Sequence, residues 1–202
     1  MNTIRDKYDN FAPVYEHGEK ILELLLSSVR KTLHSKIKEK RILEVGIGSG
    51  RSINYYKSSV QLTAGDLSVA MLRYAQRRAL SRGITITFSS FDIENLPFKD
   101  SGFPAVLSSL VFCTVDNPVK GLVEIGRVLK PGGTLYMLEH VRPDHTPLAI
   151  LFDWLNYVSV PLIGDHLNRS TTRLLNEANF RIHEEKCYYF GVFRLLTAQV
   201  EK

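Results

Sequence analysis

The sequence predicts a doubly wound α/β sheet, mainly parallel with seven strands, and three observations lead there. Short apolar runs recur at 41–46, 60–66, 84–90, 105–110 and 134–140. Segments with helical spacing of apolar residues separate most of them, and repeated strand–helix–strand units require a parallel sheet with helices on both faces. The first run closes on Glu44-Val45-Gly46-Ile47-Gly48-Ser49-Gly50, a turn whose glycines let the backbone approach a ligand with no Cβ in the way.

Taken in order, Ile21, Leu24, Leu25, Val29, Leu33 and Ile37 recur at helical spacing and predict an amphipathic helix over 17–38. The glycine strand follows, then a helix near 51–57 and the strand at 60–66. Ser68 is placed to N-cap a helix running to about 81, and Gly83 to stop it. The strands at 84–90 and 105–110 come next. Val119, Leu122, Val123, Ile125, Val128 and Leu129 predict a helix over 117–130, which Pro131-Gly132-Gly133 should break before the strand at 134–140. A C-terminal helix leads to two strands near 180–187 and 190–199, joined tightly at Tyr189-Phe190-Gly191. That pair fits the antiparallel edge many such sheets carry.

With 202 residues the chain suits one domain, 1–202: an N-terminal cover and helix (1–40), a ligand-binding core (41–140), a substrate cover (141–170) and a C-terminal helix with its strand pair (171–202). The 44% hydrophobic content is ordinary for a globular protein. A net charge of +5 favours anionic surfaces but is too diffuse to imply nucleic acid. Cys113 and Cys187 are too few for a disulfide framework or a zinc site and read as reduced core cysteines of a cytoplasmic protein. No metal site is expected. The start of the chain lacks a signal-peptide pattern, and no apolar run reaches membrane-spanning length.

Because the position after Gly50 is Arg51, the glycine spacing is G-x-G-x-G, which points to S-adenosylmethionine rather than a dinucleotide. Gly46, Gly48 and Gly50 would open space for its methionine part and aim amides at the carboxylate. Asp66, ending the second strand, can accept both ribose hydroxyls, or can cap the helix near Ser68. Asp92 can accept the adenine amine while Ile93 offers an apolar face to the ring; an Asx turn is the alternative.

These positions, joined to Asp92-Ile93-Glu94-Asn95-Leu96-Pro97-Phe98 and Leu129-Lys130-Pro131-Gly132-Gly133, resemble the class I S-adenosylmethionine-dependent methyltransferases over nearly the whole chain. The resemblance implies a Rossmann-like fold and adds Glu44, Leu67 and Ser109 to the cofactor site. Phe103-Pro104 departs from the family's usual Phe-Asp there. Tyr8-Asp9-Asn10-Phe11-Ala12-Pro13-Val14-Tyr15 looks like the lid of the small-molecule branch, with Tyr8 near the methionine end and Tyr15 near the substrate; two tyrosines packing a helix is the other reading.

Glu139 and His140, at a strand's carboxyl end, are the candidate proton acceptors, or else supports behind the site. The apolar run 148–161, with Trp154 and Tyr157, and His166-Leu167-Asn168-Arg169 resemble parts of bacterial phospholipid and animal alkyl-thiol methyltransferases. Trp154, Tyr157, His166 and Arg169 are the candidate substrate residues, with Arg169 suited to a lipid phosphate; a buried core helix over 148–161, a helix-capping His166 and a surface Arg169 are the other readings. The leading expectation is methylation of phosphatidylethanolamine and its methylated derivatives, with peripheral contact to the inner, anionic membrane face. The alternative is a soluble quinone, thiol or other metabolite. A non-catalytic cofactor-binding or nucleic-acid module is remote, because basic residues do not alternate with aromatics as base-stacking surfaces require. Oligomeric state is open.

Overall fold

The computed structural model describes residues 22–142, 150, 153–154 and 169–201. In chain order the elements are helix α1 (22–36), strand β1 (Arg41–Val45), a 3-10 turn (Arg51–Tyr55), β2 (Gln61–Asp66), α2 (Val69–Arg82), β3 (Ile86–Ser90), β4 (Phe103–Ser109), α3 (Pro118–Val128), β5 (Leu129–His140), α4 (Thr171–Glu177), β6 (Phe180–Tyr188) and β7 (Phe193–Val200).

The seven strands form one sheet in the order β3-β2-β1-β4-β5-β7-β6. From β1 the chain winds outward through β2 and β3, then returns to lay β4 on the other side of β1, in parallel register from Ile42↔Ala105 to Val45↔Ser108. That reversal between β1 and β4 opens the crevice in which such sheets bind ligands. β7 is antiparallel to both β5 and β6. The antiparallel strand is therefore held inside the sheet, and β6 forms the edge.

Strand periodicity sorts the core into two layers. Ile42, Ala105, Leu107, Tyr136, Leu138 and Leu195 point toward Leu26, Val29 and Leu33 of α1 and Leu72, Ala75 and Ala79 of α2. Their neighbours Leu43, Val45, Val106, Leu135, Met137 and Leu196 point toward Leu122, Ile125 and Val128 of α3 and Leu175 of α4. Helices thus cover both faces. The α1 stripe differs in phase from its prediction: Leu24 and Leu25 are exposed, and Leu26 takes the buried position.

The expected caps of α2 are present. Ser68 Oγ accepts from the Met71 N–H at 3.2 Å, and Gly83 adopts φ 62, closing the helix with bonds to Ala79 and Leu80. At α3 the outcome differs. Asn117 caps it and Pro118 opens it, but it ends at Val128, ahead of Pro131-Gly132-Gly133. Leu129 already pairs with Phe103, and the register then jumps to Ala105↔Thr134. The Pro-Gly-Gly segment bulges out of β5 opposite Pro104, which has no N–H to lose from the ladder. A Cβ on Gly133 would come within 3.0 Å of the Pro104 carbonyl oxygen, so glycine is required by close approach. Cys113 is buried as expected, whereas Cys187 is exposed on the edge strand.

Candidate cofactor cleft

The carboxyl ends of β1, β2, β3 and β4 surround an open cleft, the place where sheets of this winding bind ligands. Glu44, Gly46, Gly48, Asp66, Leu67, Asp92, Ile93 and Ser109 all line it. The sheet brings these eight together because they end or follow four neighbouring strands, β3, β2, β1 and β4.

Asp66 is fixed by two amides: the Gly48 N–H donates to Oδ2 and the Ser68 N–H to Oδ1, each at 2.9 Å. The carboxylate organises the start of α2 and also faces the cleft. Each carboxylate oxygen can accept more than one bond, so hydroxyls of a ribose fit beside the amides. Asp92 forms the Asx turn, accepting from the Glu94 N–H at 2.8 Å, and it too lines the cleft. The buried Ile93 beside it supplies an apolar surface.

The glycine turn corrects the expectation in one respect. The Gly48 N–H is held by Asp66 and the Gly50 N–H by the Ile47 carbonyl at 3.0 Å, so neither amide is aimed at a ligand carboxylate. Gly50 is not part of the lining. Its φ is 83, and a Cβ there would lie 2.9 Å from the Ala75 backbone, so it serves the packing of the turn on α2. Gly46 does border the cleft, with φ 65 and Val111 Cγ2 only 2.4 Å from where its Cβ would stand.

Sequence reasoning missed the polar wall behind these strands. Arg30 of α1 lines the cleft while 6% exposed; its Nη1 donates to Ser109 Oγ at 2.7 Å and its Nε lies 3.1 Å from Glu23. The Tyr55 hydroxyl also donates to Glu23, and the Tyr56 hydroxyl donates to Glu44 at 3.0 Å. Burial pushes Glu44 up to about 7 and His34, which packs edge-on against Tyr56, down to about 4. Arg30 falls at helical spacing from Leu26 and Leu33, on the buried stripe of α1, but the predicted stripe ran through Leu24 and Leu25 and passed beside it. Arg51, Ser52, Ser68, Glu94, Thr114 and Asp116 add to the polar lining.

The candidate proton acceptors are not among the lining residues. Glu139 is 1% exposed, and its Oε1 accepts from the amides of Val111 and Phe112 and from Ser108 Oγ, at 3.1, 3.4 and 3.3 Å. It organises the turn after β4, and burial raises it to about 7. His140, half-buried beside it, also lies off the lining. Arg169, expected at a lipid phosphate, donates through Nη1 to the carbonyls of Phe112 and Val115, the latter at 2.7 Å. Trp154 is exposed and apart from the cleft. Tyr8, Tyr15, Tyr157 and His166 lie outside the described residues. Among the described residues no cluster suits a metal ion, and no helix is long and apolar enough to cross a membrane.

The comparisons with known proteins agree with this geometry. Residues 43–137 match the family described as "Methyltransferase domain". The demethylmenaquinone methyltransferase of Renibacterium salmoninarum is 30% identical over 170 residues, covering 82% of this chain and 69% of that protein. The thiol S-methyltransferase TMT1B of Rattus norvegicus is 29% identical over 168 residues, covering 77% and 68%. The structure of a Thermotoga maritima methyltransferase, a possible histamine N-methyltransferase, shares the fold at a TM-score of 0.78 and 20% identity, covering 98% of this chain and all of its own. The chain belongs to the S-adenosylmethionine-dependent methyltransferases. It falls in their class I small-molecule branch, and its cofactor is S-adenosylmethionine.

Proposed function

We propose that the enzyme methylates a small apolar acceptor, an alkyl thiol ahead of a quinol, with the cofactor held by Asp66, Asp92, Ile93 and the wall around Gly46. The observation that carries this reading is the wall at the end of β4. Leu110, Val111 and Val115 border the cleft there, with Thr114 as their polar neighbour. Among the described residues no histidine lines the cleft, and Glu139 is engaged with backbone amides.

S-adenosylmethionine supplies a methyl group already activated on a sulfonium. What the chain must add is alignment and exclusion of water, which an apolar wall provides. An amine acceptor needs a base to take its proton, whereas a thiol is the stronger acid (about 8.5 for cysteine against about 10.4 for a lysine ammonium) and leans less on one. The names of the thiol and menaquinone relatives support a thiol or quinol acceptor better than phosphatidylethanolamine. The Arg169 hydrogen bonds point the same way, because its Nη1 is engaged with backbone.

The test is methyl transfer by the purified protein to an alkyl thiol, a short-chain quinol and phosphatidylethanolamine vesicles, each with radiolabelled cofactor. Turnover of the thiol is expected to exceed that of the others. Efficient labelling of phosphatidylethanolamine with no labelled thiol would sink the proposal, and quinol labelling alone would move the assignment to the second acceptor.

A further inference from the structure

The polar groups along the cleft fall in strand order. Asp92 and Ile93 follow β3, Asp66 ends β2, Glu44 and Gly46 close β1, and Ser109 closes β4. Three inter-strand spacings, roughly 14 Å, separate the first from the last. A ligand built as purine, ribose and amino acid in line, with its adenine at Asp92 and its ribose at Asp66, carries its amino acid over β1 and β4. The turn amides of Gly48 and Gly50 are already bonded within the protein. The ligand's carboxylate therefore needs another partner at that end.

Arg30 stands there. Its bond to Ser109 Oγ fixes the guanidinium at the end of β4, and its charge is felt by Glu44 at the end of β1. It is 6% exposed, yet it borders the cleft. Its Nε lies 3.1 Å from Glu23 without a well-aligned hydrogen bond. A buried guanidinium with one carboxylate neighbour and donors to spare is suited to a second carboxylate, which it can take with two parallel hydrogen bonds. Glu44, which accepts from the Tyr56 hydroxyl, also lines the cleft and has acceptor capacity left for an ammonium.

We infer that Arg30 receives the carboxylate of the cofactor's amino acid and Glu44 faces its ammonium, so that α1 and β1 together read the zwitterion. The inference is independent of which acceptor the enzyme methylates. It makes α1, which lies outside the matched residues 43–137, part of cofactor recognition.

The test is calorimetric and needs no turnover. S-adenosylmethionine and decarboxylated S-adenosylmethionine differ in the carboxylate alone. Wild type is expected to prefer the carboxylated form by about tenfold or more, the scale of one charge-assisted hydrogen-bond pair. Arg30→Met should bind both forms within about twofold while holding the decarboxylated form as tightly as wild type does, and Arg30→Lys should keep part of the preference. Absence of a preference in wild type overturns the inference. So does an Arg30→Met protein that keeps the preference, or one that loses both ligands equally. If Arg30→Met does not fold, Arg30→Lys decides: a full wild-type preference there overturns the inference and a diminished one upholds it. Arg51→Met is the comparison, since Arg51 is another cation of the lining; collapse of the preference in that variant but not at Arg30 overturns the assignment.

Discussion

The backbone N–H of Gly48 donates to Oδ2 of Asp66 at 2.9 Å, tying the turn after β1 to the end of β2. One carboxylate thereby sets the shape of the glycine turn and presents itself to the cleft. Asp66→Ala should weaken cofactor binding by about 1–3 kcal/mol and also lower thermal stability, because the Gly48 and Ser68 amides lose their acceptor. Calorimetry and thermal denaturation check this together. Unchanged affinity would remove Asp66 from the site.

Gly46→Ala places a Cβ 2.4 Å from Val111 Cγ2 at a φ of 65. Left-handed backbone and overpacking together should cost roughly 2–4 kcal/mol of unfolding free energy. Adding Val111→Ala should recover part of that loss, since the clash is with Val111 itself. Strict additivity of the two changes in denaturant titrations would show that the contact is not the cause.

Burial raises Glu44 and Glu139 from ordinary carboxylate values to about 7. An acid whose folded value lies above its unfolded one binds more protons in the native state. Its contribution is fully present below about pH 4.5 and is lost as pH rises to about 7. Stability should therefore fall across that interval, by at most about 3 kcal/mol per group. Glu139→Gln keeps an oxygen for the Val111 and Phe112 amides but cannot ionise, so denaturation at pH 5, 6, 7 and 8 should show a flatter profile. A profile as steep as wild type would show that Glu139 titrates at its ordinary value.

Arg169→Met leaves the Phe112 and Val115 carbonyls without their donor and should cost about 1–3 kcal/mol of stability. Because those carbonyls belong to the turn after β4, turnover of a neutral thiol and of a phospholipid should fall by the same factor. A loss confined to phospholipid would restore Arg169 to the phosphate.

The winding of the sheet and the two acids that line the cleft, Asp66 and Asp92, were legible because they depend on local features. Apolar runs of strand length, a serine ahead of α2, a glycine after it, and acids at strand ends all announce themselves within a few residues. The rest depended on tertiary placement. Arg30 shares the helical spacing of Leu26 and Leu33, yet its burial became legible only once packing of α1 on the sheet fixed which stripe faces inward. Glu139 read as a base because strand ends face the crevice, yet the turn after β4 folds back and takes its oxygen. Pro131-Gly132-Gly133 read as a helix stop, while pairing with Phe103 had already drawn Leu129 into the sheet.

β6 touches the sheet solely through β7, and β7 reaches β5 across residues some sixty positions apart in the chain. A local hairpin must therefore form before a distant strand can capture it, an order of events that favours late docking during folding. It follows that β6 loses its backbone link to the sheet if β7 lets go of β5. In native-state hydrogen exchange the amides linking β6 to β7 and those linking β7 to β5 should share an opening event, with α4 released alongside, while β1, β2 and β4 stay protected. The sheet then divides into a ligand-bearing half that holds and a flank that detaches as one piece.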